Sequence, residues 1–223
     1  WSTIRNICDK YGILIIADEA VTGFGRSGTM FGVDHFGLEP DFMLFGKTLA
    51  SGYQPIGATV TTTEIADKFI GEGNQLVMAH TLGGHPAGTA AALANINIIE
   101  RDNLVERSRK MGDYLYTQLQ TLMEHPIVGE VRGVGLLAAV DLVKDKKTKE
   151  PLGDSKGDDT ATSQSNIGRK MTRFMLDNGL FFHTNGSRFE IHPCLTISED
   201  EIDQMVSILD RTISYAEKEL SIK

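Results

Sequence analysis

Short apolar runs without alternation mark the first part of the chain. Residues 12–17, Gly-Ile-Leu-Ile-Ile-Ala, follow a helical pattern over Thr3 to Lys10 that Ser2 can cap, and they stop at Asp18-Glu19. Such a run predicts a strand buried on both faces, as in a parallel sheet covered by helices. Residues 41–46 form a second run ending at Lys47, and residues 57–62 a third, followed by a short helix over 63–70. Together they predict an α/β arrangement with a mostly parallel or mixed sheet and helices on both faces. A small-residue helix follows Pro86 over 87–101, and a more polar amphipathic helix spans 103–124 with Leu104, Met111, Leu115, Leu119 and Leu122 near one face. His125-Pro126 ends it. The pattern then shifts to a Gly-x-Gly turn and a strand over 136–142, a polar loop over 144–163, and a helix over 164–178 closed by Gly179. Two short strands, 180–183 and 188–192, precede a last helix over 199–220 that Ser198 caps. The predicted organisation is part of a large domain over 1–102, a connecting helix over 103–126, and a smaller α+β domain over 127–223.

Composition narrows the classes. Of 223 residues, 41% are hydrophobic, 23% charged and 7% aromatic, and the formal net charge is −8. This is ordinary for a globular chain with a real core and argues against disorder. An acidic chain without a basic run argues against nucleic-acid binding, because phosphate contacts need clustered Lys and Arg. No apolar stretch approaches the roughly 20 residues of a membrane helix. Cys8 and Cys194 are too few for a disulfide framework or a zinc site, and they fit a reducing, cytoplasmic setting. The chain opens at Trp1 without an initiator Met or targeting pattern, at an element boundary, which predicts a fragment of a longer chain.

Two charged residues close two of the apolar runs: Asp18 and Lys47. In open α/β sheets, ligands bind beyond the carboxyl ends of strands. Taken singly, Asp18 reads as a helix cap or ion-pair partner, and Lys47 as a surface lysine. Taken together, they admit a second reading. A lysine flanked by Phe45, Gly46 and Leu49 can be partly desolvated and so nucleophilic, and a facing carboxylate can hold a pyridinium nitrogen protonated.

The strings around them resemble class-III, fold-type-I, pyridoxal-phosphate-dependent aminotransferases. They are Ala17-Asp18-Glu19-Ala20-Val21-Thr22-Gly23-Phe24-Gly25-Arg26-Ser27-Gly28, Pro40-Asp41, Gly46-Lys47 and Ser51-Gly52-Tyr53-Gln54-Pro55-Ile56-Gly57-Ala58. His80-Thr81-Leu82-Gly83-Gly84-His85-Pro86 and Val131-Arg132-Gly133-Val134-Gly135 are similar to further pieces in the same order. The resemblance implies pyridoxal 5'-phosphate as cofactor, Lys47 as the Schiff-base lysine and Asp18 as the ring-nitrogen partner. It implies that Ala20 and Val21 lie against the ring, and that Thr81 binds the cofactor phosphate across a homodimer interface. Arg26 reads as a residue that fixes the turn through backbone carbonyls, with binding of a substrate carboxylate as the alternative, and Gly23, Gly25 and Gly28 as backbone-geometry positions.

The chain departs from the family pattern at particular places. Ala20 stands where the family usually has Val. Glu190 stands where an Arg often binds a substrate carboxylate, leaving Arg188, on the same strand face, and His183 as substitutes. The Ser51–Ala58 string is similar to the amine:pyruvate and omega-amino-acid:pyruvate branch. The family's N-terminal half, with its phosphate loop and ring-stacking aromatic residue, lies outside these residues. The implied activity is amino transfer from a primary amine or omega-amino acid to a 2-oxo acid such as pyruvate. A same-family aminomutase or decarboxylase, and a non-catalytic fragment or subunit, are the alternatives.

Overall fold

The computed structural model describes residues 1–78, 80, 81, 83–152, 166–182, 184 and 186–221. The chain divides into two compact units, Trp1–Ser108 and Arg109–Lys223.

The first unit is built on a three-stranded mixed sheet. Helix α1 (Ser2–Tyr11) begins after Trp1, which occupies the cap position without a side-chain bond, so Ser2 is the first helical residue and not the expected cap. Strand β1 (Ile16–Asp18) pairs in parallel with β2 (Phe42–Phe45), and β2 pairs antiparallel with β3 (Ala58–Thr61). The register sets Ile16 against Phe42 and Asp18 against Leu44. Asp41 secures the entry to this pairing. Its carboxylate accepts the Ile15 N–H (2.7 Å) and a guanidinium N–H of Arg5 on α1 (3.0 Å). These two donors, the backbone one foremost, hold the Asp41 carboxyl below its usual range.

One expectation fails here. Residues 12–17 read as doubly buried, yet Ile13, Leu14 and Ile16 are exposed, and only 16–18 is strand. β1 is the sheet's edge, so among the described residues it has one neighbour and no full cover. After β3 come α2 (Thr63–Ala66), a 3-10 turn over Asp67–Phe69, and α3 (Pro86–Arg101), whose first position is the proline.

Helix α4 (Leu104–Gln120) leads into the second unit through a 3-10 turn over Thr121–Glu124. An antiparallel sheet follows, β4 (Val128–Val134), β5 (Leu137–Leu142) and β6 (Arg188–Ile191), in that spatial order, with α5 (Asn166–Asp177) and α6 (Glu199–Glu219). Alternation is clean. Ala138, Val140 and Leu142 of β5, with Phe189 and Ile191 of β6, are buried. They share a core with Leu115, Leu119, Met171, Met175, Leu209 and Ile213, all fully buried. α6 carries the expected N-terminus: Ser198 accepts the Glu201 N–H, and the Glu201 carboxylate accepts the Ser198 N–H (2.8 Å).

The expected strand over 180–183 is absent at 180–182, and His183 lies outside the described residues. The Leu180 N–H is spent on the Met175 carbonyl (2.9 Å), closing α5, and Phe181 is left exposed. The polar loop starts as an ordered turn, with Val143 bridged to Pro151, while 153–163 lies outside the described residues. Among the described residues, no helix is long and apolar enough to cross a membrane.

Gly112 on α4 marks the tightest approach in this unit: a Cβ there would lie 2.3–2.5 Å from the Gly135 backbone. Alanine is the better helix former by about 1 kcal/mol. The clash is with main chain that cannot swing aside, so overpacking of about 1–3 kcal/mol outweighs that gain. Gly112→Ala is expected to lower the melting temperature, and a thermal scan in which it matches or exceeds the wild type would refute the contact.

Candidate active site

Parallel pairing of β1 with β2 brings both strands' carboxyl ends to one edge of the sheet. Asp18 lies opposite Leu44, and Lys47 follows Leu44 by three residues. At an extended rise of about 3.3 Å per residue, the two sit roughly 10 Å apart along the strand direction. A lysine stem, one six-membered ring and an aspartate carboxyl can bridge that span. Asp18 Oδ1 accepts the Ala20 N–H (3.0 Å), and among the described residues neither Asp18 Oδ2 nor Lys47 Nζ has a partner. An amine and a carboxylate share an edge without pairing to each other, which suits a group placed between them.

Burial at the Lys47 turn goes to Leu49 and Ala50. Lys47 itself is exposed, contrary to the expected partial desolvation. Its backbone is nonetheless unusual, with φ at 38°. Ala20 is half-buried, and its Cβ lies 4.0 Å from where a Cβ on Gly46 would be, beside the base of Lys47. Val21 is exposed.

The residue next to Asp18 organises the surrounding loop, and the sequence reading passed over it. Glu19 is 3% exposed. Its carboxylate accepts the Thr22 hydroxyl, the Gly32 N–H (2.8 Å) and the Val33 N–H (2.8 Å). Its main chain joins in: the N–H donates to the Leu44 carbonyl and the C=O accepts from Gly23 N–H, both at 3.0 Å. One buried acidic side chain thus ties the ends of β1 and β2 to the loop over 20–33, which satisfies the requirement that a buried carboxylate be bonded on all sides. A Cβ at Gly23 would meet the Glu19 carbonyl oxygen at 2.8 Å. Phe24, Phe31 and Phe45 pack together with ring centroids 5.1–5.8 Å apart, fixing the loop on β2. The signal was available: an acid immediately after a strand, followed by Thr at three and Gly at four.

The remaining expected site residues are placed separately. Thr81 is exposed and lies four residues before His85, which caps α3 by accepting the Ala87 N–H at Nδ1 (3.2 Å). The Arg26 carbonyl accepts from Ser108 (3.3 Å). Arg188 belongs to the second unit, where the β5–β6 register sets it directly opposite Asp141. Its Nε donates to Asp141 (2.6 Å), Arg132 donates to the same carboxylate, and Glu190 lies 3.7 Å from Arg188 Nη1. Burial pushes the Asp141 carboxyl up, but the two guanidinium hydrogen bonds prevail and hold it below its ordinary value. A substrate carboxylate would therefore have to compete with Asp141 for Arg188. Among the described residues, no group of His, Cys, Asp and Glu is arranged to hold a metal.

Comparison with known proteins identifies the family. The family profile described as aminotransferase class-III matches residues 1–213. The chain belongs to the class-III aminotransferase family. It is 39% identical over 227 residues to taurine–pyruvate aminotransferase of Bilophila wadsworthia, covering 100% of this chain and 49% of that protein. It is 39% identical over 217 residues to putrescine–pyruvate aminotransferase of Pseudomonas aeruginosa, covering 95% of this chain and 45% of that protein. Among solved structures, the omega transaminase of Pseudomonas jessenii in complex with PMP superposes with a TM-score of 0.87 at 38% identity, covering 100% of this chain and 48% of that one. The chain spans about half the length of the curated relatives it matches. Its α/β fold is part of the fold-type-I architecture of these transaminases, and the family is pyridoxal-phosphate-dependent.

Glu19→Gln tests the loop anchor. An amide nitrogen would replace one acceptor and face a donor. The expected loss is about 1–3 kcal/mol, read as a lower urea midpoint with unchanged slope, and a midpoint equal to wild type would contradict the anchoring role.

Proposed function

We propose that the protein to which this chain belongs is a pyridoxal-phosphate-dependent aminotransferase that moves an amino group from a primary amine or omega-amino acid to a 2-oxo acid such as pyruvate. The observation that carries the reading is the Lys47 amine and the Asp18 carboxylate at one edge of a parallel strand pair, with no ion pair to either among the described residues. Family membership and the pyruvate-directed relatives support it.

In this reading Lys47 would hold the cofactor through its amine, and the same amine, when free, could hold and move a proton at the substrate carbon. Asp18 would hold the ring nitrogen and favour its protonated form. Bound pyridoxal phosphate supplies a ring that withdraws electrons from the substrate carbon. Ala20 and Val21 would line the side of the ring, looser at Ala20 than a valine would be, and Thr81 would offer its hydroxyl to the phosphate, in this reading across a homodimer interface. Arg188 anchors the carboxylate of the 2-oxo acid by exchanging part of its bonding to Asp141. The proposed setting is cytoplasmic.

The full-length protein mixed with pyridoxal phosphate is expected to develop a visible absorbance band that Lys47→Ala abolishes, and to form alanine from pyruvate and a primary amine. Asp18→Ala is expected to cost about 10²-fold or more in turnover. Full transfer activity in Lys47→Ala, or no alanine from any amine tried, would end this reading. For Arg188→Ala the expected result is a higher KM for pyruvate with kcat little changed, and an unaltered KM would confine Arg188 to its ion pair with Asp141.

A further inference from the structure

The turn that carries Lys47 stores backbone strain at both ends. Lys47 has φ at 38° and Ser51 φ at 48°. A residue with a Cβ pays about 1–2 kcal/mol in the left-handed region. Such conformations persist where the surroundings over-determine them, and they cluster at functional sites. Here much of the determination comes from one side chain distant in sequence. Asn95, half-buried on α3, donates from Nδ2 to the carbonyls of Thr48 (2.7 Å) and Leu49 (3.3 Å). Its Oδ1 accepts the Ser51 hydroxyl (2.8 Å). The two carbonyls end the 3-10 turn Lys47–Leu49, and the hydroxyl belongs to the second strained residue. A primary amide is the short side chain that offers donors and an acceptor at once. Asn is a middling helix former, and it interrupts a run of alanines and aliphatic residues on α3, so its position is explained by this clamp and not by helix propensity.

We propose that Asn95 is a positioning residue for Lys47. By gripping the turn from α3, it fixes the direction in which Lys47 leaves the sheet edge and presents the amine to an aldehyde on a ring held against Asp18. A reacting amine must be oriented as well as near, and small misplacements cost large factors in rate. The inference rests on the reading of Lys47 as the cofactor lysine.

The test uses the full-length protein in two states. Without cofactor, Asn95→Ala and the nearly isosteric Asn95→Asp, which turns an oxygen toward the Thr48 and Leu49 carbonyls, are expected to speed amide hydrogen exchange at Leu49 and Ser51 about tenfold. Those N–H groups bond to the carbonyls of Gly46 (2.8 Å) and Thr48 (3.3 Å) within the turn. Exchange along β3 should match the wild type. With pyridoxal phosphate added, the same variants should form the visible band about tenfold more slowly and shift the pH at which it changes colour. Ser51→Gly in the Asn95→Ala background removes one left-handed penalty and should recover part of both effects. Unchanged exchange at Leu49 and Ser51 in both variants, or equal acceleration throughout β3, overturns the role. A wild type that never forms the band refutes the proposed function instead, and the exchange data then still judge the clamp.

Discussion

The parallel pairing of β1 with β2 is the constraint on which the site depends. Parallel strands end at the same edge, so a carboxylate finishing one and an amine following the other are neighbours in space although far apart in sequence. An antiparallel pair would have sent them to opposite edges. A one-residue slip would have turned Asp18 to the other face of the sheet. Asp41 guards against such a slip, because its carboxylate binds the Ile15 N–H just before the first paired residue and Arg5 from α1 at the same time.

Around that edge the polar groups divide their work. The buried Glu19 spends both oxygens on the loop over 20–33, and Asn95 spends both ends of its amide on the turn over 47–51. Asp18 and Lys47 have little of this. Among the described residues, Asp18 accepts one bond, from the Ala20 N–H, and no partner of the Lys47 amine is found. Groups that fix geometry are saturated, and groups suited to chemistry keep free valence. The second unit makes the converse point. Its open sheet face pairs Asp141 with Arg132 and Arg188 across three strands, so an arginine that looks available in the sequence is already engaged.

Much of the fold was legible because its signals are local. Apolar periodicity found α4, small residues after Pro86 found α3, Gly179 marked the end of α5, and the Ser198–Glu201 capping box located the start of α6, each to within a few residues. Asp18 at the end of β1, Lys47 just beyond β2 and the motifs around them made up the candidate site. The errors share a cause. Residues 12–17 were read as doubly buried and 180–182 as strand, since apolar content reports what a segment would gain from cover without saying which neighbour supplies it.

The residues alone gave away most of the helices, the acidic and apolar patterning, and the string that identifies the family, because each is written in residues close together along the chain. Only the folded arrangement placed Asp18 and Lys47 at one edge without an ion pair between them, buried Glu19 as an anchor, set Arg188 against Asp141, and let Asn95 grip a strained turn more than forty residues upstream. Those are relations between segments, fixed by register and packing, and no local run of residues encodes which distant backbone atom will lie within hydrogen-bonding reach.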